Sequence, residues 1–346
     1  MNTQLEYRIS EEHARSVFGA NEGRRINEEV RLIKLDADDP RWKSLGRLYW
    51  THKRQGFYGW HIERRYSAAE TRAAKLHLFQ ISATVRPNGE ECGTVYDDGE
   101  MCPLCGCGRV QVSPLRLRLA KTPKRAEIAQ SWGGETIVSA RVVRLLIDSA
   151  ITGFGLGPVQ RSKKGTEEPF SFSQTHSGRQ LLHVAEQQGV KYPSPEFYIW
   201  INGLKRRDLF QRAVKEHEGM KLARRRLGGG TSPHWYQLFV ISHAVELASA
   251  TLVGNGPFDN DLQSRQRCPL GLRDHVLGLN LLSQVSLPSS EWDGTDFLRS
   301  RGLVGVRRGL FMPRPLLFIS ARLRELLLQN SIKGWASEVV NLSANC

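Results

Sequence analysis

Two short apolar runs, each closed by a serine, give the clearest pattern in the chain. Thr136-Ile137-Val138 and Leu316-Leu317-Phe318-Ile319 have the length and composition of buried strands. Ser139 and Ser320 follow at once, placed to accept from the first unpaired N–H groups of a helix. Val142, Leu145, Leu146 and Ala150 then recur at helical spacing, as do Leu323, Leu326 and Leu327. Gly153 and Gly334 stand where a C′ glycine would end each helix, with Phe154 and Trp335 following as core anchors. The pattern predicts a strand, a capped helix and a packed exit, twice. Further strands are expected over 78–85, 94–96, 110–119, 236–241 and 303–312. A helix is expected over 203–227, with Leu204, Leu209, Phe210, Ala213 and Val214 on one face.

The two matched runs belong to a longer internal similarity. Leu78-Phe79-Gln80-Ile81-Ser82 recurs as Leu238-Phe239-Val240-Ile241-Ser242, and Cys102-Pro103-Leu104 as Cys268-Pro269-Leu270. Ile137 to Arg141 recurs as Phe318 to Arg322, and that block runs on without a gap to Val159 and Val340. All three blocks keep their order, which points to duplication of one unit. The expected fold is α+β: two diverged copies of an antiparallel sheet plus a capped helix, with a zinc knuckle in the first. The copies are placed at 1–160 and 170–346, joined by a polar linker over 161–169.

Composition sharpens where a partner would bind. The chain has 346 residues and a formal net charge of +14. Residues 41–66, 107–126 and 204–228 each carry +6, which leaves −4 for everything else. Such clustering calls for an anionic partner. The first window interleaves Trp42, Tyr49, Trp50, Phe57, Tyr58, Trp60 and Tyr66 with its cations, the recipe for holding single-stranded nucleic acid. The plainer reading puts those rings inward and the charges in water. Arg47, Lys53, Arg54, Arg64 and Arg65, with Lys221, Arg224, Arg225 and Arg226 of the third window, are the candidate partner-binding residues. No window approaches the roughly 18 apolar residues of a spanning helix. The polar N-terminus has no secretory pattern, so a cytoplasmic protein with no membrane partner is expected.

Four of six cysteines fall within sixteen residues, Cys92, Cys102, Cys105 and Cys107. Cys102-Pro103-Leu104-Cys105-Gly106 has the form of a zinc knuckle, and the four thiolates together supply a tetrahedral set. A hairpin through Asp97-Asp98-Gly99 separates the first from the others. The second copy has Gly271 where the second cysteine would stand, so one structural Zn2+ is expected and catalysis by zinc is not. The chain has no Gly-Lys-Ser phosphate loop, no GxGxxG, no HExxH and no GxSxG. His61-Ile62-Glu63 before Cys102 to Cys105 departs from the deaminase signature in the place of its proline. No catalytic residue is assigned, and an enzyme is not expected.

The chain resembles the myxobacterial double-CxxCG motif family. The resemblance rests on Cys102 to Gly106, the eroded Cys268-Pro269-Leu270-Gly271, and His275 and Gly278. It continues through Gly294-Thr295-Asp296, Gly305-Val306-Arg307-Arg308-Gly309 and the Ser320-Ala321-Arg322 helix start. It implies an immunity protein: a non-enzymatic antidote that binds and neutralises a cognate toxin of the swarm-inhibition class. The rival expectation is a zinc-containing nucleic-acid-binding protein that uses the basic and aromatic segments.

Overall fold

The structure, a computed structural model, describes residues 1–86, 88–99, 101–102, 108–119, 122, 124–161, 175–190, 197, 200, 209, 212–213, 215–216, 235–254, 256–258, 275–276, 280–304 and 313–343. It is a mixed α+β protein, mostly sheet. Among the described residues no helix is long and apolar enough to cross a membrane.

The N-terminal elements are β1 (Asn2–Ser10), α1 (Glu11–Val17), β2 (Arg24–Arg25), β3 (Val30–Asp36), α2 (Arg41–Thr51), β4 (Phe57–Arg65) and α3 (Ala68–Ala73). Their strands form a sheet in the order β2-β3-β1-β4, antiparallel throughout. Leu5, Tyr7 and Ile9 alternate along β1, and all three are buried in the core under this sheet. Ser10 ends the strand and caps α1, its hydroxyl accepting from the His13 N–H at 3.3 Å. Arg31 is buried and does not enter the core uncompensated. Its Nε donates to Glu11 Oε2 at 2.9 Å, and its Nη1 to the Gly19 carbonyl at 2.6 Å.

Next come β5 (Leu76–Ile81), β6 (Thr84–Val85), β7 (Tyr96–Asp97), β8 (Val110–Gln111), β9 (Leu115–Leu117), β10 (Ile128–Ser131), β11 (Thr136–Ser139), α4 (Ala140–Asp148) and β12 (Phe154–Arg161). Arg161, the first residue of the expected linker, therefore ends a strand, and 162–169 lie outside the described residues. After α5 (His176–Gln187) come β13 (Trp235–Val240), β14 (Ala244–Val245), β15 (Val253–Gly254), β16 (His275–Val276), β17 (Asn280–Leu281), β18 (Ser286–Pro288), β19 (Phe297–Val304), β20 (Arg314–Ser320), α6 (Ala321–Gln329), β21 (Trp335–Val339) and β22 (Asn341–Ser343). Most of 203–227 lies outside the described residues, although Leu209, Arg212 and Ala213 are helical.

The strand order shows something the sequence blocks do not. One sheet runs β6-β10-β11-β13-β12-β9 and the other β14-β19-β20-β5-β21, with β16 also on β19. So β5, from the N-terminal half, lies between β20 and β21, and β13, from the C-terminal half, lies between β11 and β12. A division into self-contained units at 160–170 does not match this pairing: each central sheet takes an inner strand from the other side of that boundary. The sheets are also mixed, with β6, β9 and β14 added in parallel.

The ladders align the two inner strands one residue away from the sequence match. Ile81 pairs with Trp335, and Val240 with Phe154. Ile81 thus corresponds to Val240, Phe79 to Leu238, and Ile241 is one residue extra. Packing follows the ladders: Phe79 and Leu238 are both buried in the core shared by the two sheets.

The serine caps are present at both sites, Ser139 accepting from Val142 N–H at 3.3 Å and Ser320 from Leu323 N–H at 3.0 Å. The helix exits differ from expectation. The left-handed C′ residues are Ala150 (φ 49) and Ser331 (φ 52), not the glycines. Ile151 N–H reaches back to the Leu146 carbonyl and Ile332 N–H to Leu327, both at 3.0 Å, which closes a Schellman turn on each helix. Gly153 (φ 83) and Gly334 (φ 103) come later and serve close approach. A Cβ on Gly153 would lie 2.3 Å from the Phe297 carbonyl oxygen, and one on Gly334 1.9 Å from that of Ile128. The same contact is made in both directions. Phe297 N–H donates to the Thr152 carbonyl and Ile128 N–H to Lys333, each at 3.1 Å. Arg141 donates to the Asn330 carbonyl, and Arg322 to that of Ser149.

Candidate interaction surface and cysteine hairpin

The first basic window folds as α2 and β4. Helical spacing divides α2 into two faces. Leu45 and Tyr49 are buried, and Trp42 and Leu48 pack beside them on the N-terminal core. Lys43, Arg47 and Trp50 occupy the other face. The chain then turns tightly through Lys53 (φ 46) and Arg54 (φ 71), both exposed. The Arg54 guanidinium lies 5.4 Å from the Trp50 ring centre and 5.5 Å from that of Tyr49. Trp50 keeps 51% of its surface in water and Tyr58, on β4, keeps 60%. The outer face of α2 and its exit turn thus expose Lys43, Arg47, Lys53 and Arg54, with the Arg54 guanidinium against the exposed Trp50 ring.

The window does not act as one surface. Arg64 is 5% exposed, its Nε donating to Glu338 Oε2 at 2.8 Å. It ties β4 to β21 and is a structural residue, not a contact for a partner. Arg65 is exposed but grips Glu63 through two hydrogen bonds of 3.0 Å, and that guanidinium holds the Glu63 carboxyl below the usual range. Of the rings, Phe57 and Trp60 pack on the N-terminal core with Trp42. Trp50 and Tyr58 are therefore the two that stay exposed. The 43/47/50 spacing was the available sequence signal for this, once a helix is placed on that window. Lys221, Arg224, Arg225 and Arg226 lie outside the described residues.

The cysteine segment is a short hairpin in which β7 pairs with β8, Tyr96 opposite Gln111. Cys92 ends a single 3-10 turn (Glu90–Cys92), and both it and Cys102 are buried. Arg109 locks the base. It holds Glu90 through hydrogen bonds of 2.7 and 2.8 Å and Asp98 through one of 2.6 Å, and its guanidinium stacks on the Tyr96 ring at 4.4 Å. The Glu90 carboxyl is held below its ordinary range by that cation. Cys105 and Cys107 lie outside the described residues. Among the described residues no cluster of three or more His, Cys, Asp or Glu is placed to hold a metal.

Two short acidic segments of the chain are Asp259-Asn260-Asp261 and Asp293-Gly294-Thr295-Asp296. Asp293 closes a turn, accepting from the Thr295 N–H at 2.9 Å and hydroxyl at 2.7 Å. Asp259 and Asp261 lie outside the described residues. No protein-family model, curated protein or solved structure matches the chain.

Proposed function

We propose that the chain is a non-enzymatic immunity protein that binds and neutralises a cognate toxin protein through an acidic surface on that toxin. The observation that carries this reading is the outer face of α2 and its exit turn, where Lys43, Arg47, Lys53 and Arg54 are exposed and Arg54 lies against the exposed Trp50 ring. An aromatic anchor beside exposed cations suits a protein interface, where rings supply contact area and charges set orientation and on-rate. The resemblance to the double-CxxCG family agrees with it. We read the two halves as diverged copies of one unit. The matched strand orders and the reciprocal contacts at Gly153 and Gly334 support that reading. One structural Zn2+ on Cys92, Cys102, Cys105 and Cys107 belongs to the same proposal.

Coexpression with toxin candidates encoded beside this gene tests it. Growth rescue with a co-purifying complex is expected, lost in the Arg47→Glu/Lys53→Glu/Arg54→Glu variant at normal expression. No rescue and no complex from any neighbouring candidate would sink the reading. The exposed rings also favour a second reading, single-stranded nucleic-acid binding. Binding that survives about 150 mM salt and weakens along a steep log–log slope would favour that alternative.

A further inference from the structure

The two central sheets share an apolar core of Phe79, Ile128, Val138, Phe297 and Ile319. Strand β11 runs from Thr136 to the cap of α4 at Ser139, so the helices close one end of that core. At the opposite end, beside the β10–β11 turn, the filling gives way to a cavity of about 490 Å3. Its apolar lining includes Leu238, Val240, Leu303 and Leu317.

Among the described residues its charged lining is Glu90, Arg109, Glu135, Arg299 and Arg314, a net charge of one positive. Most of these groups are already held. Arg109 is paired with Glu90 as above. Glu135 accepts from the Tyr96 and Ser131 hydroxyls. Burial first, and then Glu135, pushes the Tyr96 phenol up, so it stays a donor at neutral pH. Arg314 lies flat over Gly134 (φ 100), where a Cβ would meet its Cζ at 2.0 Å, and donates to the Trp132 carbonyl at 3.1 Å.

Arg299 is different. Its Nε is sealed from water and so out of a ligand's reach; its Nη groups, the part that can meet a ligand in the cleft, make no hydrogen bond among the described residues. Burial acts on its guanidinium, and no carboxylate among the described residues offsets it. A guanidinium does not shed its proton, so it sits at this cleft with donor capacity unused.

We propose that this cleft binds a carboxylate carrying an apolar group, with Arg299 as the anion's fork and the Leu238–Leu317 wall holding the apolar part. The net charge of one positive favours a monoanion, and the Glu135 carboxylate disfavours a phosphate dianion. The volume suits a small ligand or one terminal side chain of a peptide. This inference stands apart from the docking patch on α2.

A fluorine NMR titration of the full chain with 4-fluorophenylacetate tests it. Saturable binding is expected, with 2-(4-fluorophenyl)ethanol and inorganic phosphate failing to compete. Arg299→Gln should weaken binding about tenfold or more, the order of a lost charge-assisted pair. That variant should fold, because Gln130 holds the corresponding place in the other sheet: Gln130 faces Thr136 as Arg299 faces Leu317. Gly134→Ala, which displaces Arg314, gives a second, smaller loss. N-acetyl-glycyl-phenylalanine and its amide separate the sources. Binding of the acid form in preference to 4-fluorophenylacetate assigns a peptide carboxylate, and the reverse a free one. No saturable binding, equal binding of the alcohol, tighter binding of phosphate, or unchanged affinity in folded Arg299→Gln would each overturn the proposal.

Discussion

At the scale of single residues, burial decides more than charge. His77 sits on the inner strand β5, buried, with neither ring nitrogen hydrogen-bonded among the described residues. Burial first, and Arg324 second, push its imidazole down to about 4. The unfolded chain therefore binds a proton that the folded chain refuses between the ordinary value of about 6.5 and 4. Folding stability should fall as pH drops through that window, by at most about 3 kcal/mol, and His77→Leu should flatten the slope in urea unfolding measured from pH 7 to 4.5. Below that window Glu11 and Glu70 take over, since cations hold both carboxyls at about 2. The helix exits give a second residue-level test. Ala150 holds a left-handed conformation that glycine adopts without strain, so Ala150→Gly should stabilise by about 0.5–1 kcal/mol in the same assay. Gly334→Ala should destabilise by about 2 kcal/mol or more, because its Cβ meets backbone that cannot yield. The serine caps were legible because a cap is local chemistry. The exchange of roles between Gly153 and Ala150 was not, because what glycine serves there is contact with a strand 144 residues away, at Phe297.

At the scale of elements, the interleaved strands govern. Fragments covering 1–161 and 175–346 each lack an inner strand of one central sheet. Expressed apart they should stay unfolded or aggregate through open edges. Expressed together they should assemble one to one, read by size exclusion and circular dichroism; a stable, monomeric N-terminal fragment would contradict the exchange. The sequence carried the strand and helix pattern of this region well, since apolar runs and their caps are short-range signals. It did not carry the pairing, because β5 and β20 are joined only through more than two hundred intervening residues. The N-terminal sheet was missed for another reason. Leu5, Tyr7 and Ile9 have the strand period, but Glu6 and Arg8 between them give the segment a polar look until β3 and β4 flank it.

At the scale of the whole molecule, the basic composition resolves, among the described residues, into an exposed cationic face on α2 and several internal ties. Arg31, Arg64 and Arg109 are all used inside the fold, so counting cations along the sequence overstates the surface available to a partner. The patch itself was legible in outline, as rings interleaved with bases, but which rings stay in water depended on the helical face they share. Purified protein should carry about one equivalent of zinc by elemental analysis if the four thiolates act together, released on acidification, with Cys102→Ser losing it.

The exchange of inner strands also sets where such a chain can be recombined with a relative. A crossover at the apparent boundary near residue 165 would join halves whose β5 and β13 each face a foreign sheet. Crossovers just after β5 and just after β13 would instead carry a central sheet with its own inner strand. In a lineage under pressure to change partners, the workable exchange is a cassette bounded by those two strands, and residues 76–81 should vary in step with 314–339 more closely than with their sequence neighbours.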